Sequence, residues 1–162
     1  MHVDVQFTRT SKIADYFIQI RPGTDSAFLG AIINYVIQNR KYDMTTWQYQ
    51  LDGAGKPKRS ADMFGPQTVM SILKKHYERY TFEIVSHITG ASVADIKFVA
   101  ELYSSVKPAV FMYVLGMTQH AVGVENIRCF TVWQLLRGNI GVPGGGIQVD
   151  AKQRHFPRKI FD

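Results

Sequence analysis

The sequence has very little cysteine and no long hydrophobic run. Cys129 is its single cysteine, which excludes an internal disulfide framework and an iron–sulfur cluster bound by four cysteines of this chain. The longest apolar stretch, residues 108–117, is far shorter than the roughly 20 residues that span a bilayer. The first residues show no basic-then-apolar signal region. We therefore expect no membrane span, and the composition is compatible with either the cytoplasm or the periplasm.

Common nucleotide and metal motifs are also absent from the sequence. It contains no GxGxxG, no GxxxxGK[ST] and no HExxH pattern, so the usual dinucleotide, P-loop and zinc-protease signatures are missing. The histidines show no metal-ligand spacing with one another or with Cys129. The pattern therefore predicts no metal site built by this chain alone.

The composition is that of a globular domain with an excess of positive charge. The chain has 162 residues, 46% of them hydrophobic, which is typical of a single domain that buries a core. Its net charge is +6. This excess favours an anionic partner, which could be nucleic acid, a phosphorylated cofactor or an acidic protein face.

The hydrophobic pattern predicts an α/β domain. Alternation near residues 3–7 and a continuous apolar run over 109–115 indicate strands, the second covered on both faces. Apolar stripes of helical period predict helices near 26–39 and 124–137. Strands separated by helices indicate one parallel sheet.

The remaining helices are expected between these two regions. Residues 67–80 are predicted to be helical, with Val69, Ile72, Leu73 and His76 on one side. Thr81 and Ser92 are predicted to begin two further helices. Residues 43–66, rich in glycine and proline, are expected to form a surface loop or hairpin.

Three polar segments lie where a ligand of a parallel sheet is expected, outside the carboxyl ends of the strands. They are "DVQFTRT", "RPGTD" and "GMTQHAVG". The second combines free amides at a helix start with Asp25, a carboxylate that can accept from two donors of guanine. Each segment also has a simpler interpretation: a helix start for "RPGTD", a flexible loop for the triglycine at 144–146, and a turn residue for His120.

Two long stretches of the chain resemble a known family in the same order. "HVDVQFTRTSKIADYFIQIRPGTDSAFLGAIINYVIQN" and "GMTQHAVGVENIRCFTVWQLLRGNIGVPGGG" are similar to the catalytic subunit of molybdenum- or tungsten-dependent formate dehydrogenases, in the molybdopterin oxidoreductase superfamily. The resemblance implies a partial, Rossmann-like domain over residues 1–150 that binds molybdopterin guanine dinucleotide, followed by a divergent basic tail over 151–162. It also implies that the chain is an interior fragment of a longer subunit.

The same resemblance implies a set of cofactor-binding residues. Gly23, Thr24 and Asp25 match the "PGTD" motif and would hold the guanosine end, with Asp4 and Phe7 nearby. Gly116 and Gln119 match the turn that lies against the pterin part, and His120 follows within that turn.

The chain also departs from the family pattern. The cysteines that bind the family's iron–sulfur cluster are absent, as is the cysteine or selenocysteine, followed by histidine, that ligates the metal. The arginine tied to formate turnover is not matched by Arg154 or Arg158, and "VDVQF" stands where the family has "VDPRF". The resemblance therefore implies no iron–sulfur cluster and no catalytic residue on this chain, and no activity by the chain alone.

The implied partners are the remainder of the catalytic subunit or complementary chains, and an iron–sulfur electron-transfer subunit. No nucleic acid partner is expected. Two functions from different classes stay open at this stage. The chain is either the cofactor-binding part of an oxidoreductase, or a non-catalytic dinucleotide-binding module or basic anion-binding protein.

Overall fold

A computed structural model describes residues 1–43, 49–51, 57–59, 64–66 and 68–149. Within them the helices are α1 (Arg9–Ile13), α2 (Asp25–Gln38), α3 (Val69–Tyr77), α4 (Phe82–Thr89), α5 (Val93–Ser105), α6 (Leu115–Thr118) and α7 (Gly123–Leu136). The strands are β1 (His2–Asp4), β2 (Phe17–Gln19), β3 (Tyr49–Leu51), β4 (Pro57–Arg59), β5 (Val110–Tyr113) and β6 (Gly146–Val149). The basic tail at 151–162 and most of the expected loop at 43–66 lie outside the described residues.

The α/β class is confirmed, but the expectation of one parallel sheet is wrong. Strand β1 pairs in parallel with β2, and β5 pairs in parallel with β6, in two separate two-stranded sheets. In the described chain neither pair extends to the other. Strands β3 and β4 form an antiparallel pair, as the hairpin interpretation predicts.

Strand β5 is shorter and less covered than its apolar run suggests. The ring of Phe111 packs against Tyr103, Phe130 and Trp133, whereas Met112, on the other face, is 75% exposed. Only one face is therefore covered by the described residues, and the prediction of two-sided burial is wrong. The run also ends early as a strand, because Leu115 begins the short helix α6.

The core is built around α2, which packs against α3, α4, α5 and α7. Its side chains at Ile32, Ile33 and Val36 are fully buried. Both long helices predicted from their stripes are confirmed, to within one residue at each end. In α3, Val69 and Leu73 of the predicted side pack against the core, whereas Ile72 and His76 are exposed, and Met70 and Tyr77 are buried in addition.

Local signals at helix ends were informative. The hydroxyls of Thr81 and Ser92 each accept a backbone N–H three residues on, as N-caps do. Gly138, directly after α7, has a φ of 60°, a left-handed conformation that glycine adopts without strain. These local signals therefore mark helix ends at the positions that the sequence predicts.

A buried amide ties α7 to the second sheet. The Gln134 side chain donates from Nε2 to the carbonyls of Ala109 (3.2 Å) and Gly146 (2.6 Å), and its Oε1 accepts from the Tyr103 hydroxyl at 2.6 Å. These bonds satisfy the polar groups of a fully buried side chain. They fix the starts of β5 and β6 against the same helix.

Candidate functional site

The first parallel pair ends at an open cleft. The cleft has a volume of about 320 Å³ and is lined by residues that follow β1, residues at and after β2, and the end of α4: Val5, Gln19, Ile20, Arg21, Pro22, Thr89 and Gly90. Ligands of parallel sheets bind at this carboxyl end. The "RPGTD" segment thus borders a cleft in the position that the sequence predicts.

Arg21 fastens this edge of the cleft to α4. Its Nη1 donates to the carbonyls of His87 (2.6 Å) and Ile88 (3.1 Å), in the last turn of α4, where a guanidinium is favoured by the helix dipole. Its backbone N–H also donates to the Thr89 carbonyl at 2.8 Å. The start of the "RPGTD" turn is therefore anchored to α4 through both the side chain and the backbone of Arg21.

The turn itself leads into the first turn of α2. Gly23 has a φ of 75°, with open space where a Cβ would stand. Thr24 occupies the N-cap position, but its hydroxyl donates to the Arg21 carbonyl at 2.7 Å and does not cap the helix. The hydroxyl therefore tightens the turn, and the helix start relies on other groups for its amides.

Asp25 lies at the centre of the charged groups of the site. Burial raises the pKa of its carboxyl group, and its own backbone amide and His120 oppose the rise, whereas Asp4 adds to it. Asp25 therefore interacts electrostatically with Asp4 and with His120, which come from two other segments. All three are residues that the sequence predicts for the site, and their role there stays a prediction.

The other predicted residues are more exposed. Gly116 lies in the short helix α6, in place of the expected turn, and open space surrounds the position of a Cβ. Gln119 is the C-cap of α6 and is exposed. Phe7 is 65% exposed and packs edge-on against Phe17, with ring centroids 5.2 Å apart. Nothing in these contacts links Phe7 to Asp4, Asp25 or His120.

Two hydrogen bonds and one His–carboxylate contact lead from α1 to the Asp4 carboxylate. The Thr8 amide donates to the Ser11 hydroxyl at 2.9 Å, Ser11 Oγ lies 2.8 Å from His2 Nδ1, and His2 Nε2 lies 3.5 Å from Asp4 Oδ2. The Val5 amide donates to the other Asp4 oxygen at 2.6 Å. Ser11 is buried and belongs to the capping box of α1, so this Ser–His–Asp order orients a carboxylate and offers no exposed nucleophile.

Sequence reasoning missed Asn126, which links two of the predicted segments. This fully buried residue of α7 accepts from the Ser26 hydroxyl and donates to the Met117 carbonyl. The available signal was a polar residue within the apolar stripe of the helix, since a buried amide requires partners. The contact between His2 and Ser11 was missed because it joins β1 to the capping box of α1, which no local pattern indicates.

The described residues contain no group of three or more His, Cys, Asp or Glu side chains that could hold a metal ion. No helix among them is long and apolar enough to cross a membrane. Burial raises the pKa of the Cys129 thiol, which lies 3.9 Å from the Tyr77 hydroxyl. A buried neutral thiol is a poor metal ligand and nucleophile, so the chemistry of this region rests on its carboxylates, amides and glycines.

Comparison with known proteins identifies relatives of this chain. No family model matches. The chain is 36% identical to the nitrate-inducible formate dehydrogenase major subunit of Escherichia coli, over 90% of the chain and 18% of that protein. It is 35% identical to formate dehydrogenase 2 subunit alpha (cytochrome c-553) of Nitratidesulfovibrio vulgaris, over 91% of the chain and 18% of that protein. An F420-dependent formate dehydrogenase 1 subunit alpha of Methanococcus maripaludis is 30% identical over 90% of the chain.

A solved structure supports the fold. Acetylene hydratase from Pelobacter acetylenicus superposes with a TM-score of 0.71 at 20% identity, covering 88% of this chain and 17% of that protein. This likeness concerns the fold alone. The chain spans about a fifth of the curated relatives that it matches. In sequence, the chain is therefore homologous to a segment of the formate dehydrogenase major and alpha subunits.

Proposed function

We propose that this chain is the part of a formate dehydrogenase catalytic subunit that holds the guanosine end of a molybdopterin guanine dinucleotide. The observation that carries the proposal is the cleft at the carboxyl ends of β1 and β2, bordered by Arg21 and Pro22 of the turn that leads to Asp25. The Asp25 carboxyl group interacts electrostatically with Asp4 and His120. In this proposal, residues 1–150 form part of a Rossmann-like dinucleotide-binding domain. The two parallel strand pairs belong to it.

The residues present fit such a group. The Asp25 carboxylate can accept from two guanine donors, and the open turn at Gly23 lets the ligand approach the backbone. The open space at Gly116 and the exposed amide of Gln119 suit the pterin part. The His2–Ser11 chain holds the Asp4 carboxylate in one orientation near the same nucleotide. The bound molybdenum or tungsten would supply the redox chemistry of formate oxidation.

Parts outside this sequence complete the proposed enzyme. The metal-ligating cysteine or selenocysteine, the cluster cysteines and the matching arginine are not in this sequence. The remainder of the subunit, whether continuous with this chain or a complementary chain, would supply them. An iron–sulfur subunit would accept the electrons.

The isolated 162-residue chain is accordingly expected to show no formate-dependent dye reduction. The physical reason is that the chain lacks the residues that would ligate the metal and position formate beside it. The measurement uses purified chain free of other subunits, with a complete formate dehydrogenase as the positive control. Formate-dependent reduction above the buffer rate would contradict the proposal that the catalytic groups lie elsewhere.

Guanosine diphosphate, which reproduces one end of the cofactor, tests the site directly. Its affinity for the chain is expected to be constant at neutral pH and to weaken as the pH falls through the pKa of Asp25. Only the ionised carboxylate accepts both guanine donors, so below that pKa the affinity falls by about tenfold per pH unit. An ordinary aspartate has a pKa of about 3.9. Because burial raises the pKa of Asp25, the affinity should begin to weaken at a higher pH than it would for an ordinary aspartate.

Two controls accompany this titration by calorimetry. Adenosine diphosphate presents a different donor pattern and should bind more weakly at neutral pH. Asp25→Asn should bind guanosine diphosphate weakly and without the acidic transition. Equal affinity for the two nucleotides, or an unchanged pH profile in Asp25→Asn, would contradict the role of Asp25.

A further inference from the structure

Asn126 stands between the two segments of the proposed site. Its side chain is fully buried, and its Oδ1 lies 2.5 Å from the Ser26 hydroxyl, which donates to it. Its Nδ2 donates to the Met117 carbonyl at 3.1 Å. Ser26 directly follows Asp25 in the first turn of α2, and Met117 lies in α6 between Gly116 and Gln119. One side chain thus touches both segments.

The two bonds require an amide. The Ser26 hydroxyl is a donor and needs an acceptor, whereas the Met117 carbonyl is an acceptor and needs a donor. A carboxylate at position 126 could serve Ser26 but would place an oxygen against the Met117 carbonyl. An apolar residue would leave both groups unsatisfied in a buried place, which is costly.

A second feature of the same helix supports this arrangement. Gly123 lies three residues before Asn126, on the same side of α7. A Cβ at Gly123 would stand 2.4 Å from the Thr118 carbonyl oxygen, so only glycine lets the end of α6 approach α7 this closely. Close approach at one turn and a hydrogen bond at the next together fix α6 on α7.

We infer that Asn126 is a positioning residue that sets the pterin-side segment, α6, relative to the guanosine-side segment at the start of α2. The inference rests on the proposed function for the identity of the ligand. A ligand that contacts only the start of α2 does not depend on this spacing. A dinucleotide that spans both segments does.

The test compares Asn126→Asp with Asn34→Asp. Asn34 is a matched control, because its Nδ2 also donates to a backbone carbonyl at 3.1 Å, that of Tyr80, away from the charged cluster. In Asn126→Asp, retention of the whole cofactor by the assembled complex should fall by roughly tenfold. The affinity of the chain for guanosine diphosphate should stay within about threefold. In Asn34→Asp, cofactor per folded complex should be unchanged.

Hydrogen exchange of the ligand-free chain gives a second readout. The Gln119 amide, which donates to the Leu115 carbonyl at 2.9 Å, should exchange faster in Asn126→Asp and in Ser26→Ala than in Asn34→Asp. If Asn126→Asp changes neither this exchange nor cofactor retention, or changes both only as much as Asn34→Asp does, the inference is overturned. If the wild type binds neither nucleotide nor cofactor, the proposed function fails, and the exchange measurement alone decides the role of Asn126.

Discussion

Asp25→Asn and Gln119→Ala are each expected to lower cofactor retention about five- to two-hundredfold in an assembled complex. In the proposed site, Asp25 would offer two acceptors to guanine through charge-assisted bonds, and asparagine would present a donor in place of one of them. Loss of one partner of a buried polar contact costs about 1–3 kcal/mol, which gives this range at about 1.4 kcal/mol per tenfold. The measurement is molybdenum or tungsten and guanine nucleotide per complex, with this segment supplied to its partner chain or grafted into a full-length relative.

The chain offers matched controls for these two variants. Asp95 is the first-turn carboxylate of α5, so Asp95→Asn repeats the chemistry of Asp25→Asn at another helix. Gln38→Ala removes an exposed glutamine from the end of α2, and His76→Ala removes the exposed histidine of α3. All three should retain the cofactor. Full retention in both Asp25→Asn and Gln119→Ala would refute the site assignment.

Gly123→Ala is expected to lower both the stability of the chain and cofactor retention. The new methyl group would stand 2.4 Å from the Thr118 oxygen and 3.0 Å from its carbonyl carbon. Because these are backbone atoms, α6 has to move away from α7. Overpacking of this kind costs about 1–3 kcal/mol, and the displacement separates Gln119 from the rest of the site. Urea unfolding and metal content measure the two effects.

Gly116→Ala separates ligand contact from packing. Open space surrounds the position of its Cβ, and alanine is favoured over glycine in a helix by about 1 kcal/mol. Stability should therefore be equal or slightly higher, while a methyl group in the space proposed for the pterin should reduce cofactor retention. Unchanged retention in Gly116→Ala would remove Gly116 from the site, and wild-type stability of Gly123→Ala would contradict the packing argument.

Helices and their ends were predictable because their signals are local. The stripe from Phe28 to Ile37 and the caps at Thr81, Ser92 and Gly138 act within a few residues, and the structure confirms them. The full set of core-facing residues of α3 was not predictable from apolarity alone. Val69 and Leu73 of the predicted side pack against the core, but contact with the rest of the core also buries Met70 and Tyr77 and leaves Ile72 exposed.

The pairing of strands depends on information that a local pattern does not contain. The apolar run before Leu115 predicted a strand covered on both faces, but coverage depends on which elements pack there, and Met112 is exposed. Likewise, Asp4, Asp25 and His120 were found by resemblance and strand-end position, whereas Asn126 required the contact between α2 and α7.

The bond between Ser26 and Asn126 joins residues 100 positions apart, and this separation has a consequence for folding. By the chain-entropy relation, closing a loop of that length costs about 4 kcal/mol, against about 2.4 kcal/mol for the roughly 15 residues between paired positions of β1 and β2. Contacts of short range therefore form first, and the proposed binding region is completed late. A ligand that bridges both segments would stabilise the folded state, in which this last contact is formed. The free energy of unfolding of the chain is therefore expected to rise when the ligand is bound.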